Sequence, residues 1–75
     1  MVSAYVLIKL EGGVDPKHLE HVREHPEIKS LAFVLGPFDV VLECQVESFD
    51  DLGRLARELW SCPGVSESAT YPVIQ

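Results

Sequence analysis

The chain has 75 residues, 47% of them hydrophobic, and carries twelve acidic against six basic side chains for a net charge of −6. That length allows one domain with a thin core, because a domain of this size buries only about 60–65% of the surface its unfolded chain exposes, so a partner subunit would add needed burial. The charge excludes a phosphate-tracking surface, since Lys9, Lys17, Arg23, Lys29, Arg54 and Arg57 are dispersed among acidic neighbours, and no apolar run approaches the roughly 18–20 residues of a membrane helix.

From Ala4 to Leu10 the residues alternate, with Ala4, Val6, Ile8 and Leu10 on one face of a strand and Tyr5, Leu7 and Lys9 on the other. Gly12-Gly13 ends that strand, and Asp15-Pro16 starts a helix, because Asp accepts from free amides and Pro at the first helical position loses no bond. Leu19 and Val22 face its core side, and Pro26 stops it by disfavouring helical geometry at His25. Ile28 to Leu35 is a β-branched and aromatic run closed by Gly36-Pro37. Phe38 to Val46 alternates again, and the two runs read as a hairpin. Ser48 opens a second helix with Asp51 three positions on, a weak form of the capping box. Phe49, Leu52, Leu55, Ala56, Leu59 and Trp60 give that helix a broad apolar stripe, so it carries the core. Pro63-Gly64 terminates it, and Val65 to Ile74 is a last strand that must lie on an edge, since Pro72 cannot donate to a ladder. The order βαββαβ predicts an α+β, ferredoxin-like fold: a four-stranded antiparallel sheet with two helices on one face.

With the even positions of the first strand turned to the helices, the opposite sheet face carries Tyr5, Leu7, Val41 and, by strict alternation, Leu31, Phe33 and Leu35. So much apolar surface favours stacking two subunits' sheets, with Lys9, Glu43 and Gln45 at the rim. Scattered surface apolar residues would otherwise need no explanation.

Few residues suggest chemistry. His18, His21 and His25 fall along one side of the first helix, but they alternate with Lys17, Glu20, Arg23 and Glu24 as on a solvated face, and a lone helix seldom closes a metal site. Cys44 points into the core and Cys62 lies at a helix end, without the dipole that activates a thiol; with no export signal and no CxxC spacing, both are expected as reduced thiols. Gly12-Gly13 is not followed by the Lys or Thr of a phosphate loop. The turn Gly36-Pro37-Phe38-Asp39 stands apart, because it puts a carboxylate at the head of an apolar strand. Asp39 has two readings: a cap on turn amides, or one wall of an intersubunit pocket in which the carboxylate holds a ligand ammonium and free amides hold its carboxylate.

The chain resembles the effector (RAM) domain of the Lrp/AsnC family of feast/famine regulators across nearly its full length. The resemblance is carried by Ala4-Tyr5-Val6-Leu7-Ile8, His25-Pro26-Glu27-Ile28, Gly36-Pro37-Phe38-Asp39, Pro63-Gly64-Val65 and Ser68-Ala69-Thr70, in that order. It implies that the hairpin loop, with Gly36, Pro37, Phe38 and Asp39, lies at an interface between dimers where a free amino acid binds, and that Ser68 and Thr70 of the last strand approach that ligand. Pro37 and Pro72 are departures from the usual pattern. The family's regulators carry an N-terminal helix-turn-helix domain, whereas this sequence starts at the effector domain's first strand, so the expectation is a stand-alone form that does not bind DNA itself. Assembly into a ring of dimers of octamer type follows from the resemblance alone.

The resulting expectation is a single domain over residues 1–75: a cytoplasmic, non-enzymatic module that binds an amino acid or related metabolite, self-associates, and modulates full-length regulators of the family. It calls for no cofactor, metal, nucleic acid or membrane partner. Two alternatives share the strand order: a small dimeric α+β-barrel enzyme of the monooxygenase or isomerase kind, which needs a roomy polar cavity between sheet and helices, and an ACT-like regulatory domain, which pairs its sheets edge to edge.

Overall fold

The computed structural model describes residues 1–74. Its elements run β1 (Val2–Leu10), a 3₁₀ helix (Pro16–Glu24), β2 (Ile28–Phe33), β3 (Val40–Val46), α1 (Phe49–Trp60) and β4 (Val65–Pro72). The strands form one antiparallel sheet in the order β2-β3-β1-β4, the ferredoxin-like arrangement with β4 on an edge, as Pro72 requires. Among the described residues, no helix is long and apolar enough to cross a membrane.

β1 sits at the centre because its alternation supplies a fully apolar side toward the helices. Ala4, Val6 and Ile8 stand opposite Cys44, Leu42 and Val40 of β3, and all six side chains are essentially inaccessible. Each large aliphatic residue buried there contributes about 1.5–3 kcal/mol relative to exposure. α1 covers this face with Leu52, Leu55 and Leu59. Ser48 caps it, accepting from the Asp51 N–H at 3.1 Å while its hydroxyl donates to the Asp51 carboxylate at 3.0 Å, so the cap satisfies one free helix amide and the Asp51 side chain binds the cap hydroxyl rather than the cap N–H that Glu reaches in a full capping box.

Four sequence expectations are corrected in detail. The first helix is a nine-residue 3₁₀ segment. Its Asp15 cap accepts from the Lys17 N–H at 2.9 Å, but only Leu19 and Val22 anchor it to the core. At three residues per turn those two fall in one row, so the tighter helix seats both. The same winding breaks the histidine stripe: His18 and His21 share a row with Glu24, whereas His25 falls into the row of Leu19 and Val22. β2 does not alternate strictly. The register shifts between Ile28 and Ser30, and this bulge lets Ile28 and Leu31, three apart, both face the core opposite Cys44 and Leu42. Leu31 therefore leaves the outer face, Phe33 follows it opposite inward-facing Val40, and β2 ends there, with Leu35 fully exposed in the loop. At their ends, β3 begins at Val40 rather than Phe38 and β4 stops at Pro72 rather than Ile74. The outer face keeps Tyr5, Leu7 and Val41, joined by Ala32, Ala69 and Tyr71.

Candidate functional site

The loop Val34–Asp39 forms where the β1–β3 ladder runs out. Ile8 is the last β1 residue paired with β3, through Val40, and the Asp39 N–H still donates to the Ile8 carbonyl at 2.9 Å. Two residues on, the Leu10 N–H points the same way but finds no strand carbonyl. The Asp39 carboxylate takes that place, its Oδ2 accepting from Leu10 N–H at 2.8 Å. A part-buried amide without a partner would cost about 1–3 kcal/mol, so this bond explains why an acidic residue heads an apolar strand. The loop closes on itself through Val34 N–H donating to the Asp39 carbonyl at 2.9 Å.

Gly36 has φ +141°, a backbone conformation that side chains disfavour, although open space surrounds its Cα. Among the described residues, the N–H groups of Leu35, Gly36 and Phe38 and the Asp39 Oδ1 have no protein hydrogen-bond partner. Phe38 is half-buried and Pro37 exposed, and the Pro37 carbonyl accepts from Lys9 Nζ at 3.2 Å. The loop thus offers three donors and one carboxylate oxygen at a single end of the sheet.

Ser68 and Thr70 are placed differently. They pair with Ile8 and Val6 across β1 and β4, and so lie half-buried on the helix side of the sheet, one strand beyond β1 from the loop. Within one chain, the fold does not bring them into contact with Asp39. Strand spacing puts about 10 Å between the β3 and β4 backbones.

The helix face carries a second cluster that sequence reading missed. Arg54 donates from Nη2 to both Glu27 carboxylate oxygens at 2.9 Å and from Nη1 to Glu58 at 2.8 Å. These bonds hold the Arg54 guanidinium above its ordinary pKa, the Glu27 bond first. His25 Nδ1 accepts from the Glu27 N–H at 3.2 Å, and its Nε2 stands 3.7 Å from Glu27 and 3.8 Å from Glu58. Only the Arg54–Glu58 spacing of four was a signal in the sequence. Beside this cluster runs a cleft of about 360 Å3 between the 3₁₀ segment and α1, floored by Val22, Leu55 and Leu59. Cys62 lines it, while Cys44 is buried in the core; both are free thiols. Burial, with nearby carboxylates, pushes both thiols above their ordinary pKa, so neither is activated as a nucleophile. Among the described residues, no group of three or more His, Cys, Asp or Glu side chains is arranged to hold a metal ion.

Residues 3–75 match the Lrp/AsnC ligand binding domain. The chain belongs to that family. The structure of the Lrp/AsnC domain superposes on FFRP-DM1 with a TM-score of 0.88 at 23% identity, covering 99% of this chain and 100% of that one. It also matches TTHA0845 from Thermus thermophilus, with a TM-score of 0.89 at 25% identity, over 100% of this chain and 95% of that one. Against the leucine response regulatory protein LrpA of Mycobacterium tuberculosis the TM-score is 0.85 at 20% identity. There the domain covers 99% of its own length but only 51% of the larger chain. No curated protein sequence matches the chain significantly.

Proposed function

We propose that this Lrp/AsnC domain binds a free amino acid or a closely related metabolite at the Gly36-Pro37-Phe38-Asp39 loop, and that it works as a ligand-responsive oligomer rather than as an enzyme. The observation that carries the reading is the loop's set of unengaged groups: three N–H donors suited to a carboxylate and the Asp39 Oδ1 suited to an ammonium, in a domain of a ligand-binding family. Ser68 and Thr70 contribute from a neighbouring copy, since their place on β4 keeps them from the loop of their own chain.

Self-association has its own support. Tyr5, Leu7, Val41, Ala69 and Tyr71 make an apolar centre on the outer sheet face, flanked by Lys9, Glu43 and Gln45, which suits face-to-face stacking of two sheets. Dimers so formed then meet at the loops and close into a ring of octamer type. A ligand held between two copies favours the assembly that contains its site, and only that difference in affinity moves the equilibrium. Acting in the cytoplasm, the ring modulates full-length regulators of the same family through mixed assembly. An enzymatic role fits less well, because Val6, Ile8, Leu42 and Leu55 fill the space between sheet and helices where such enzymes keep a polar cavity.

The test is calorimetric titration of the twenty amino acids into the wild-type protein and Asp39→Asn. The amide retains an oxygen for the Leu10 N–H but loses the charge, so the expected result is binding of at least one amino acid that weakens about tenfold or more in the variant while its melting temperature stays close to wild type. Binding of none, or equal binding by both proteins, overturns the reading.

A further inference from the structure

Among the described residues, Lys9 is the one cation bonded to the loop, and its surroundings make it unusual. It faces Glu67 directly across β1 and β4, in a chain with twice as many acidic as basic residues, yet among the described residues it forms no ion pair. Its Nζ instead donates to the Pro37 carbonyl at 3.2 Å. An ammonium has three N–H donors, so two remain after that bond. The anchoring is reciprocal: Lys9 of β1 is tied to a loop carbonyl, and Asp39 of the loop is tied to the β1 amide of Leu10, the residue after Lys9. Opposite charges are thereby held at one end of β1 by backbone groups, each with capacity left for a ligand.

Resting on the loop's role as the ligand site, we propose that Lys9 receives the ligand's carboxylate and makes the site selective for a zwitterion over the corresponding ester or amine. Asp39 Oδ1 takes the ammonium, and the loop amides supplement Lys9. A neutral ester leaves the Lys9 charge without a counter-ion, and a decarboxylated amine does the same.

The experiment titrates the best-binding amino acid, its methyl ester and its decarboxylated amine into wild type, Lys9→Met and Lys9→Arg. The side chain is exposed and Met keeps its apolar stem, so all three proteins are expected to melt within a few degrees of one another. Wild type and Lys9→Arg should prefer the amino acid over its ester by about ten- to a hundredfold, the usual range for a charge-assisted hydrogen bond. Lys9→Met should bind the amino acid that much more weakly and lose the preference. A Lys9→Met protein that still prefers the amino acid to the same degree overturns the role of Lys9 while leaving the loop as the site. A wild type that binds no amino acid at all overturns both.

Discussion

The middle of the sheet and its loop end are built on opposite terms. Between Val2 and Ile8 every β1 residue has a partner in β3, and the inward side chains of Ala4, Val6 and Ile8 are fully buried. At Leu10 the β3 partner is gone, and a side chain, Asp39, supplies the missing acceptor. The middle is closed to any ligand because its hydrogen bonds are all internal. The end keeps donors and a carboxylate oxygen open, and gives up packing to do so. With the loop as the proposed site, stability and binding are separated along a single strand, and substitutions should separate them too.

The largest effect should come from the closed region. Ile8→Ala empties a fully buried site beside Val40 and should destabilise by about 3–4 kcal/mol, read as a fall in urea midpoint without a change in slope. Next is the turn that feeds β4. Gly64 has φ +91°, its carbonyl accepts from the Glu11 N–H, and an added Cβ would stand 3.0 Å from Val14 Cγ1. Gly64→Ala meets both backbone strain and a stiff β-branched neighbour, so a loss of about 1–3 kcal/mol is expected by thermal melting.

Asp39 sharpens the contrast because it belongs to both regions. Asp39→Ala strands the Leu10 N–H and should cost about 1–2 kcal/mol, whereas Asp39→Asn should keep most of that bond and stay within about 0.5–1 kcal/mol of wild type in the same urea titration. Equal loss in both would mean that the charge, not the acceptor, holds the end of β1.

The smallest effect is alkaline. Cys44 is raised above about 9, first by burial and then by Glu27, with Glu43 adding to it. Below that pH the thiol is protonated in folded and unfolded chains alike. As pH rises past it, the unfolded chain ionises first and gains stability, so folding stability falls. Comparing urea midpoints between pH 8 and 10.5 should show a shallower decline in Cys44→Val than in wild type.

Much of this was legible in the sequence, for identifiable reasons. β1 and α1 announce themselves because each has a complete apolar face with a cap or stop beside it: Ala4, Val6 and Ile8 before Gly12-Gly13, and Leu52, Leu55 and Leu59 after Ser48. The first helix was readable as a helix but not as 3₁₀, because Leu19 and Val22, three apart, fit either winding. β2 misled alternation through its bulge, which shows only in the register. At the candidate site, the Gly36–Asp39 loop could be located, but the Asp39 bond to Leu10 and the reach of Lys9 to Pro37 join residues 29 and 28 apart in sequence. Such contacts exist only once β1 and β3 are paired.

The central claim is that Asp39 serves the fold with one oxygen and a ligand shared between copies with the other. Light scattering of wild type and Asp39→Asn at micromolar concentration, with and without the amino acid that binds best, tests it most directly. The account predicts that wild type is at least dimeric, that the ligand shifts its mass distribution toward the larger assembly, and that Asp39→Asn associates without responding. A wild-type monomer whose mass no amino acid changes would contradict it.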